Sequence, residues 1–472
     1  MEADGEQMTD VAGARRSSTG FHRALPAALA LCLVIVLGAG GLAWKREHDR
    51  TWAQERLALA RGLALHAAET RDTDPVTARR FGAAAVALHP DEQTRAGLAD
   101  TLLMWRREHL SGPTTGGDQD VALSADGQIA LTEDADGVSV HDLKTWLDPE
   151  VAGKAGRLAV LKGHEGEVTA VALSPDGRTA LVGGGDGATI VWDLLDPAHP
   201  RRETTLAGEV KDGPVRELAL SDDSRTVVVG DDSGRMTVWD LTDTSRPARR
   251  SVTQADRDGV QDLALSADGR TAVTVGDGGS AVVWNLADLS DPVRTAEPAF
   301  SGGPVTAMAM SANGRTALVA DPERVTVWNL DDPTAPGEVA GVDLPDITGM
   351  ALTSDGRTAL LASSLGDGIL WNLSQPSRPV RLASLKGNTE DVNAVALSAD
   401  GRAALMASSY RGVFVWNLSG LADLVADPLK AICRQSGNGE TISRKEWTTF
   451  AGDADWSRYG GGEAALSVCA MR

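Results

Sequence analysis

From about residue 105 to residue 420, one pattern of apolar and polar positions recurs along the chain. Its clearest copy is VTAVALSPDGRTALVGGGDGATIVWDL, from Val168 to Leu194. Alternate residues of VTAVALS face one side of a sheet, and the Asp-Gly pair that follows favours a tight turn before a second strand. A third strand ends in Val-Trp. Each copy therefore predicts a small antiparallel β-sheet.

The pattern occurs seven times, and the other copies begin near Val121, Val215, Val260, Val305, Ile347 and Val392. The tryptophans that close them are spaced by 43 to 47 residues and are Trp192, Trp239, Trp284, Trp328, Trp371 and Trp416, with His141 in the same place in the first copy. One such unit leaves both faces apolar, so it is stable only between neighbours. Seven units predict an all-β, seven-bladed propeller. HLSG echoes LKGH, so a strand near Trp105 to Leu110 is predicted to close the ring with the last unit.

The Trp-ended units resemble the WD repeats of β-propellers. The resemblance implies a rigid disc that presents loops to protein or peptide partners. The stretch DPVTARRFGAAAVALHPDEQTRAGLADTLL also resembles the segment that joins a transmembrane helix to WD repeats in actinobacterial signalling proteins. Some of those proteins carry a STAND-type NTPase or a protein kinase across the membrane. We expect no such catalytic domain here, because only 23 residues precede the apolar segment described below.

Departures from the WD pattern concern its buried polar network. The Gly-His pair occurs once, as Gly163-His164, and Asp186 is the one turn aspartate in register before a tryptophan. Val182 stands where the family usually has a hydroxyl. We therefore expect the His, Ser/Thr, Asp and Trp network to be incomplete in every blade, with stability coming mainly from apolar packing at roughly 25 cal/mol per Å² buried. The recurring tryptophans are predicted to be core residues rather than a ligand-binding cage.

An uncharged segment, ALPAALALCLVIVLGAGGLAW, occupies residues 24–44. Its 21 residues are enough for a helix that crosses a bilayer, so a single-pass membrane anchor is predicted. The alternative is a cleaved signal peptide, but the preceding tail, residues 1–23, is long and acidic. Positive charges around the segment favour a cytoplasmic propeller. A cysteine pair near the C-terminus and the family resemblance favour an extracytoplasmic one, which we adopt.

Helical periodicity predicts a stalk and hairpin over residues 45–107, with helix starts at Asp74-Pro75 and Asp91. We expect a spacer that packs beneath the propeller, residues 108–420; the alternative is a groove for a partner. The tail, residues 421–472, contains Cys433 and Cys469, which have no zinc-ligand spacing. A disulfide between them is predicted, and the tail resembles the cysteine-bounded segment of the same signalling proteins.

Composition and motifs favour a binding protein over an enzyme. The net charge of -21 repels phosphate backbones, so nucleic acid is not an expected partner. Arg outnumbers Lys, which indicates a coding habit of a high-GC genome. No phosphate loop, G-x-S-x-G or H-E-x-x-H motif occurs, so no catalytic, cofactor or metal residues are predicted.

Two alternatives to the external scaffold stay open. A propeller enzyme, either a hydrolase or a redox enzyme, would use carboxylates that converge at the channel mouth, and it predicts an inward cluster of acids with perturbed pKa values. A scaffold facing the cytoplasm would gather signalling proteins at the membrane.

Overall fold

The computed structural model describes residues 49–71, 73–103, 106–111, 119–148, 154–207, 213–298, 304–386, 392–408, 411–435, 441–451, 465–467 and 469. The predicted tail 1–23 and the predicted membrane segment 24–44 lie outside these residues. Among the residues described, no helix combines the length and apolar character needed to cross a membrane. The chain divides into two compact units, Met1–Ala60 and Arg61–Arg472.

Seven four-stranded antiparallel sheets form the blades of a propeller. Blade 1 contains β2 (Val121–Leu123), β3 (Ile129–Asp134), β4 (Gly137–Asp142) and β5 (Gly156–Leu161). Blade 2 contains β6 (Val168–Leu173), β7 (Thr179–Gly184), β8 (Ala188–Asp193) and β9 (Arg201–Ala207). Blade 3 contains β10 (Val215–Leu220), β11 (Thr226–Asp231), β12 (Arg235–Asp240) and β13 (Ala248–Gln254). Blade 4 contains β14 (Val260–Leu265), β15 (Thr271–Gly276), β16 (Ala281–Asn285) and β17 (Val293–Ala296).

The remaining blades follow the same order from the channel outwards. Blade 5 contains β18 (Ala307–Met310), β19 (Thr316–Ala320), β20 (Arg324–Asn329) and β21 (Gly337–Asp343). Blade 6 contains β22 (Ile347–Leu352), β23 (Thr358–Ser363), β24 (Gly368–Asn372) and β25 (Val380–Leu385). Blade 7 contains β26 (Val392–Leu397), β27 (Ala403–Ser408) and β28 (Gly412–Asn417), and its fourth strand is β1 (Arg107–Ser111).

Ring closure follows the prediction. Strand β1 pairs antiparallel with β28, and Arg107 lies opposite Trp416. The first strands of successive blades contact one another around the whole ring, from β2 through β26 and back to β2. The seven-bladed all-β architecture is therefore confirmed.

The turn between the first and second strands has the same hydrogen bonds in all seven blades. In blade 2, Ser174 Oγ donates to Asp176 Oδ1 at 2.7 Å and accepts from the Thr179 N–H at 2.9 Å. Gly177 has φ +71°, which favours glycine. In blade 3, Ser224 takes this position with φ 59°, so the turn forms there without its glycine.

Apolar packing between adjacent blades makes the core. Leu181 and Val191 of blade 2, for example, share one buried cluster with Val227 and Trp239 of blade 3. Middle strands such as β11 and β27 are buried along their whole length because each lies between two neighbouring sheets. No blade could bury these faces alone, as the repeat pattern predicted.

Helices precede and follow the propeller. They are α1 (residues 49–70), α2 (Pro75–Leu88), α3 (Glu92–Leu103), α4 (Lys144–Leu147), α5 (Leu421–Ala426), α6 (Pro428–Gln435) and α7 (Arg444–Ala451). Asp74 Oδ1 accepts the Thr77 N–H at 3.1 Å at the start of α2, and Asp91 Oδ1 accepts the Thr94 N–H at 2.8 Å at the start of α3. Both predicted helix starts are therefore present. Strands β29 (Thr441–Ser443) and β30 (Ala465–Ser467) pair in the tail.

The hairpin packs against the outer side of blade 6 and against α5, which follows the last strand of the ring. Helix α3 contacts β25, the outer strand of blade 6. Asp100 lies 3.1 Å from Arg381 Nη2 and accepts the Ser384 N–H at 2.5 Å, while Arg71 lies 3.9 Å away. Burial raises the pKa of Asp100 even though Arg381 and the Ser384 N–H oppose the shift. A buried carboxylate with two arginines thus fixes the hairpin to blade 6.

Candidate functional site

The predicted blade residues of blade 2 lie together. His164 Nδ1 lies 3.1 Å from Asp186 Oδ1, and His164 Nε2 lies 2.9 Å from the backbone oxygen of Val182. The valine has no hydroxyl, so the imidazole bonds to its carbonyl instead. Burial raises the pKa of Asp186, but hydrogen bonds from the Ala188 N–H and His164 outweigh that effect and the pKa lies below its ordinary value. The contact between His164 and Asp186 holds the loop between blades 1 and 2 against the turn between β7 and β8.

All six predicted tryptophans are buried, with 0 to 9% of the surface exposed, and their polar partners differ. In blade 4, Trp284 Nε1 donates to Thr274 Oγ1 at 2.9 Å. In blade 1, Thr132 Oγ1 lies 2.9 Å from Nε2 of His141, the residue in the tryptophan position. Burial lowers the pKa of His141 to about 4. Different blades thus contain different parts of the network of His, Ser/Thr, Asp and Trp. Among the described hydrogen bonds, no blade connects all four residue types.

An arginine lies opposite the Trp or His position in six of the seven blades, which the sequence analysis missed. These residues are Arg107, Arg157, Arg202, Arg249, Arg294 and Arg381, whereas blade 5 has Glu338. The Arg294 guanidinium lies 5.2 Å from the Trp284 ring and donates to the Ala255 oxygen at 2.8 Å. Arg107 donates in the same way to the Lys386 oxygen at 3.1 Å. In blades 4 and 7, therefore, an arginine ties the outer strand to the loop before the blade, which composition could not show.

Carboxylates line one part of the central channel, on the first strands of blades 3 and 4 and just before that of blade 1. Asp120 accepts the N–H groups of Val121 and Val171, each at 2.7 Å, so it bridges blades 1 and 2. Asp262 accepts those of Leu263 at 2.8 Å and Met308 at 2.7 Å, and it bridges blades 4 and 5.

Glu217 of blade 3 faces the same channel as Asp120 and Asp262. Burial raises the pKa of Asp120 and of Asp262 to about 6, against the hydrogen bonds they accept. The pKa of Glu217 lies well above its usual value because of burial and the carboxylates of Asp262 and Asp120. Within the described part of the chain, no group of three or more His, Cys, Asp or Glu side chains is arranged to hold a metal ion.

Neutral groups instead join blade 5 to blade 6 and blade 6 to blade 7. Thr306 Oγ1 donates to the Ile347 oxygen at 2.9 Å, and Thr348 Oγ1 donates to the Val392 oxygen at 2.5 Å. The alternative enzyme hypothesis predicts inward acids with perturbed pKa values, and such acids are present on one side of the channel. In two of the three, however, each carboxylate oxygen accepts a backbone N–H, one from the acid's own blade and one from the next blade.

We define the upper face as the turns between second and third strands together with the loops that link blades; the lower face carries the turns between first and second strands. A cleft of about 510 Å³ opens on the upper face between blades 1 and 2. Its inner lining is apolar and consists of Leu161, Val168, Val182, Ile190 and Trp192. Its outer lining is charged and includes Glu133, Asp134, Asp136, Glu167 and Lys162.

Glu133 lies among like charges in this cleft, which we call the blade 1–2 cleft. Burial raises the pKa of Glu133 to about 7, and the carboxylates of Asp120, Glu167 and Asp134 add to the shift. Arg157 lies 3.6 Å from Asp134. This arrangement suits a cationic group better than a neutral or anionic one.

The predicted cysteine pair is joined in the tail, where the structure has a disulfide between Cys433 and Cys469. Cys433 lies on α6, which contacts α2, α3 and α5. Glu446 of the tail lies 3.5 Å from Arg80 of α2. The C-terminal tail and the helical hairpin therefore pack as one body.

Comparison with known proteins supports this fold. The family "WD domain, G-beta repeat" matches residues 156–193, 201–240 and 379–417. Each match begins on the outer strand of one blade and ends on the third strand of the next. The chain therefore contains WD40 repeats, arranged as a seven-bladed β-propeller.

Curated relatives match only parts of the chain. Over 146 residues the chain is 38% identical to the NAD(+) hydrolase ApTIR of Actinoplanes sp., which is 31% of this chain and 13% of that protein. Over 36 residues it is 56% identical to the small ribosomal subunit proteins RACK1y and RACK1z of Oryza sativa subsp. japonica, 8% of this chain and 11% of each of them. The chain thus spans about a tenth of the length of these relatives.

Two solved structures show the same fold. A chain of the mitotic checkpoint complex superimposes with a TM-score of 0.54 at 18% identity, over 66% of this chain and 90% of that one. The Cps50 (Swd1) β-propeller domain of Myceliophteria thermophila has a TM-score of 0.54 at 16% identity, over 66% and 99%. At these identities the likeness concerns architecture alone.

Proposed function

We propose that this chain is a membrane-anchored scaffold whose WD40 propeller binds a protein or peptide partner in envelope signalling, without catalysing a reaction. The observation that carries the proposal is the closed ring, in which loops of the upper face are bonded to the neighbouring turns. The Gly185 N–H donates to the Glu167 oxygen at 3.0 Å, and the Asp232 N–H donates to the Pro214 oxygen at 3.0 Å. Fixed loops lower the entropic cost of binding. The inference from propeller to partner binding is an analogy from the fold.

Partner binding is tested by placing a photo-crosslinking amino acid on each face of the full chain in intact cells. Asp136 and Glu167 are exposed on the upper face, and Asp243 and Asp291 are exposed on the lower face. We expect one protein adduct of defined mass from upper-face positions. No adduct from any of the four positions would contradict a scaffold.

The proposal assigns the channel carboxylates a structural role. Asp120 and Asp262 each accept two backbone N–H groups, one of them from the next blade, so a role in joining blades accounts for their position. The relative ApTIR is named as an NAD(+) hydrolase. Incubation of the full chain with NAD(+) therefore tests directly for catalysis. We expect no hydrolysis. Turnover that disappears in Asp262→Asn would support the enzyme alternative.

We further propose that residues 24–44 form the anchor and that the propeller lies outside the cytoplasm, with no nucleic-acid partner because of the net charge of -21. Reporter fusions after Arg472 test the orientation. Labelling of Cys433 and Cys469 by an impermeant maleimide tests it independently. We expect labelling of intact cells only after reduction. Rapid labelling of unreduced cells would contradict the bridge, and absence of labelling after reduction would contradict the external placement.

A further inference from the structure

We infer that the blade 1–2 cleft is a docking groove for a segment of a protein partner that carries an arginine or lysine flanked by aliphatic residues. This inference rests on the proposed scaffold function and names the kind of partner. The groove combines an apolar bottom with an acidic rim, which matches a long cationic side chain with its hydrocarbon stem.

The bottom of the groove is formed by the core of blade 2. Val182 and Ile190 are each 2% exposed and Trp192 is 9% exposed, so their outer surfaces close the cleft from below. Gly163 keeps the groove open, because a Cβ there would lie 2.9 Å from Ile190 Cδ1. The volume of about 510 Å³ lies within the roughly 300–1,000 Å³ of sites that enclose small groups.

The rim has an excess of negative charge that the chain itself does not neutralise. In the ion pairs of the described residues, Arg157 pairs with Asp134. Glu133, Asp136 and Glu167 have no cationic partner among those residues. Lys162 and His164 are the basic residues in the described lining, and His164 is already bonded to Asp186. Repulsion among these carboxylates is relieved when a cation enters between them, so the groove favours a guanidinium or ammonium group.

A second cleft in the same molecule shows that this charge is not a consequence of the fold. It has about 950 Å³ and lies on the upper face at blade 4, where it is lined by the loop that enters blade 4, the turn between β15 and β16, and the residues that follow β17. There Arg257 and Arg294 accompany Asp256, Asp258 and Glu297, and Arg294 Nη1 lies 2.6 Å from Glu297 Oε1. We call it the blade 3–4 cleft. Its lining has three acids and two arginines, whereas the lining of the blade 1–2 cleft has four acids, one lysine and His164.

The groove is tested with two fluorescent peptides, Leu-Arg-Ile-Arg-Leu and its Arg→Gln counterpart, by anisotropy on the full chain at two salt concentrations. We expect binding of the first peptide only, and weakening by salt because the rim is exposed. The double variant Glu133→Gln and Glu167→Gln is expected to weaken binding at least tenfold. The matched control, Asp258→Asn with Asp291→Asn, removes the same charge elsewhere and should leave binding unchanged.

A charge reversal keeps the proposal testable if the amide variants lose stability. Asp136→Lys with Glu167→Lys should reject the arginine peptide and accept Leu-Glu-Ile-Glu-Leu. Equal weakening by the control pair, or tighter binding of free spermidine than of the arginine peptide, would overturn the docking groove. If the peptide fails while crosslinked adducts still form on another surface, the groove is wrong and the scaffold function stands.

Discussion

Blades 4 and 7 contain the two most deeply buried repeat tryptophans. The indole N–H has an acceptor in blade 4 but not in the described structure of blade 7. Trp284 donates to Thr274, but in blade 7 Met406 occupies the position of that threonine. The Trp416 N–H has no acceptor in the described structure, although Trp416 is 0% exposed. An unsatisfied buried donor costs roughly 1–3 kcal/mol. A blade therefore tolerates loss of the hydrogen bond between the indole and a threonine hydroxyl as long as the indole remains packed.

Removal of the indole is the largest perturbation. Trp284→Ala and Trp416→Ala should each lower the free energy of unfolding by about 3–5 kcal/mol, because both leave a cavity. Urea unfolding of the two variants measures this. If Trp416→Ala were nearly neutral while Trp284→Ala was severe, the hydrogen bond rather than packing would dominate.

The imidazole in the tryptophan position of blade 1 should make stability depend on pH. Because the pKa of His141 falls from 6.5 to about 4 on folding, the unfolded chain binds a proton that the folded chain rejects. The free energy of unfolding should therefore fall by up to roughly 3 kcal/mol as the pH drops from 6.5 towards 4. In His141→Phe this component should be absent.

Unfolding of His141→Phe at pH 7 and pH 4.5, compared with the unmodified chain, isolates this term from other titrating groups. His199 is exposed beside Asp196, so His199→Gln serves as the control and should keep the full pH dependence. An unchanged pH dependence in His141→Phe would show that the imidazole is not the source.

A smaller effect is expected from the hydroxyl of blade 4. Thr274→Val keeps the shape but leaves the Trp284 N–H without an acceptor, and it should cost about 1–3 kcal/mol. Thr274→Ser keeps the hydroxyl and should be closer to the unmodified chain. Equal stability of the valine variant would mean that the bond adds nothing to packing.

The smallest effect is expected in blade 7, at Met406. Met406→Thr and Met406→Val both lose volume, but the threonine can accept the Trp416 N–H. We expect the threonine variant to be more stable than the valine variant by about 1 kcal/mol. The reverse order in thermal unfolding would show that position 406 cannot deliver a hydroxyl to the indole.

Periodicity predicted the blades, the turns and the closing strand, because these features repeat at fixed spacing. The channel acids could not be predicted, since Asp120 meets Val171 only after two blades stack. The side on which the hairpin packs depends on Asp100 and Arg381, which are far apart in the chain. The blade 1–2 cleft is hidden for the same reason, because Glu133 and Glu167 come together across a loop between blades.

The pairing of β1 with β28 also determines the order of assembly. Strand β1 leaves the ribosome before any blade exists, and its partner β28 is the last strand of the propeller to be made. Contacts so distant in sequence form slowly. Until then one edge of the nascent disc has an open row of backbone donors and acceptors, which the same strand of another copy could occupy. Dilution during refolding should therefore raise the yield of monomer.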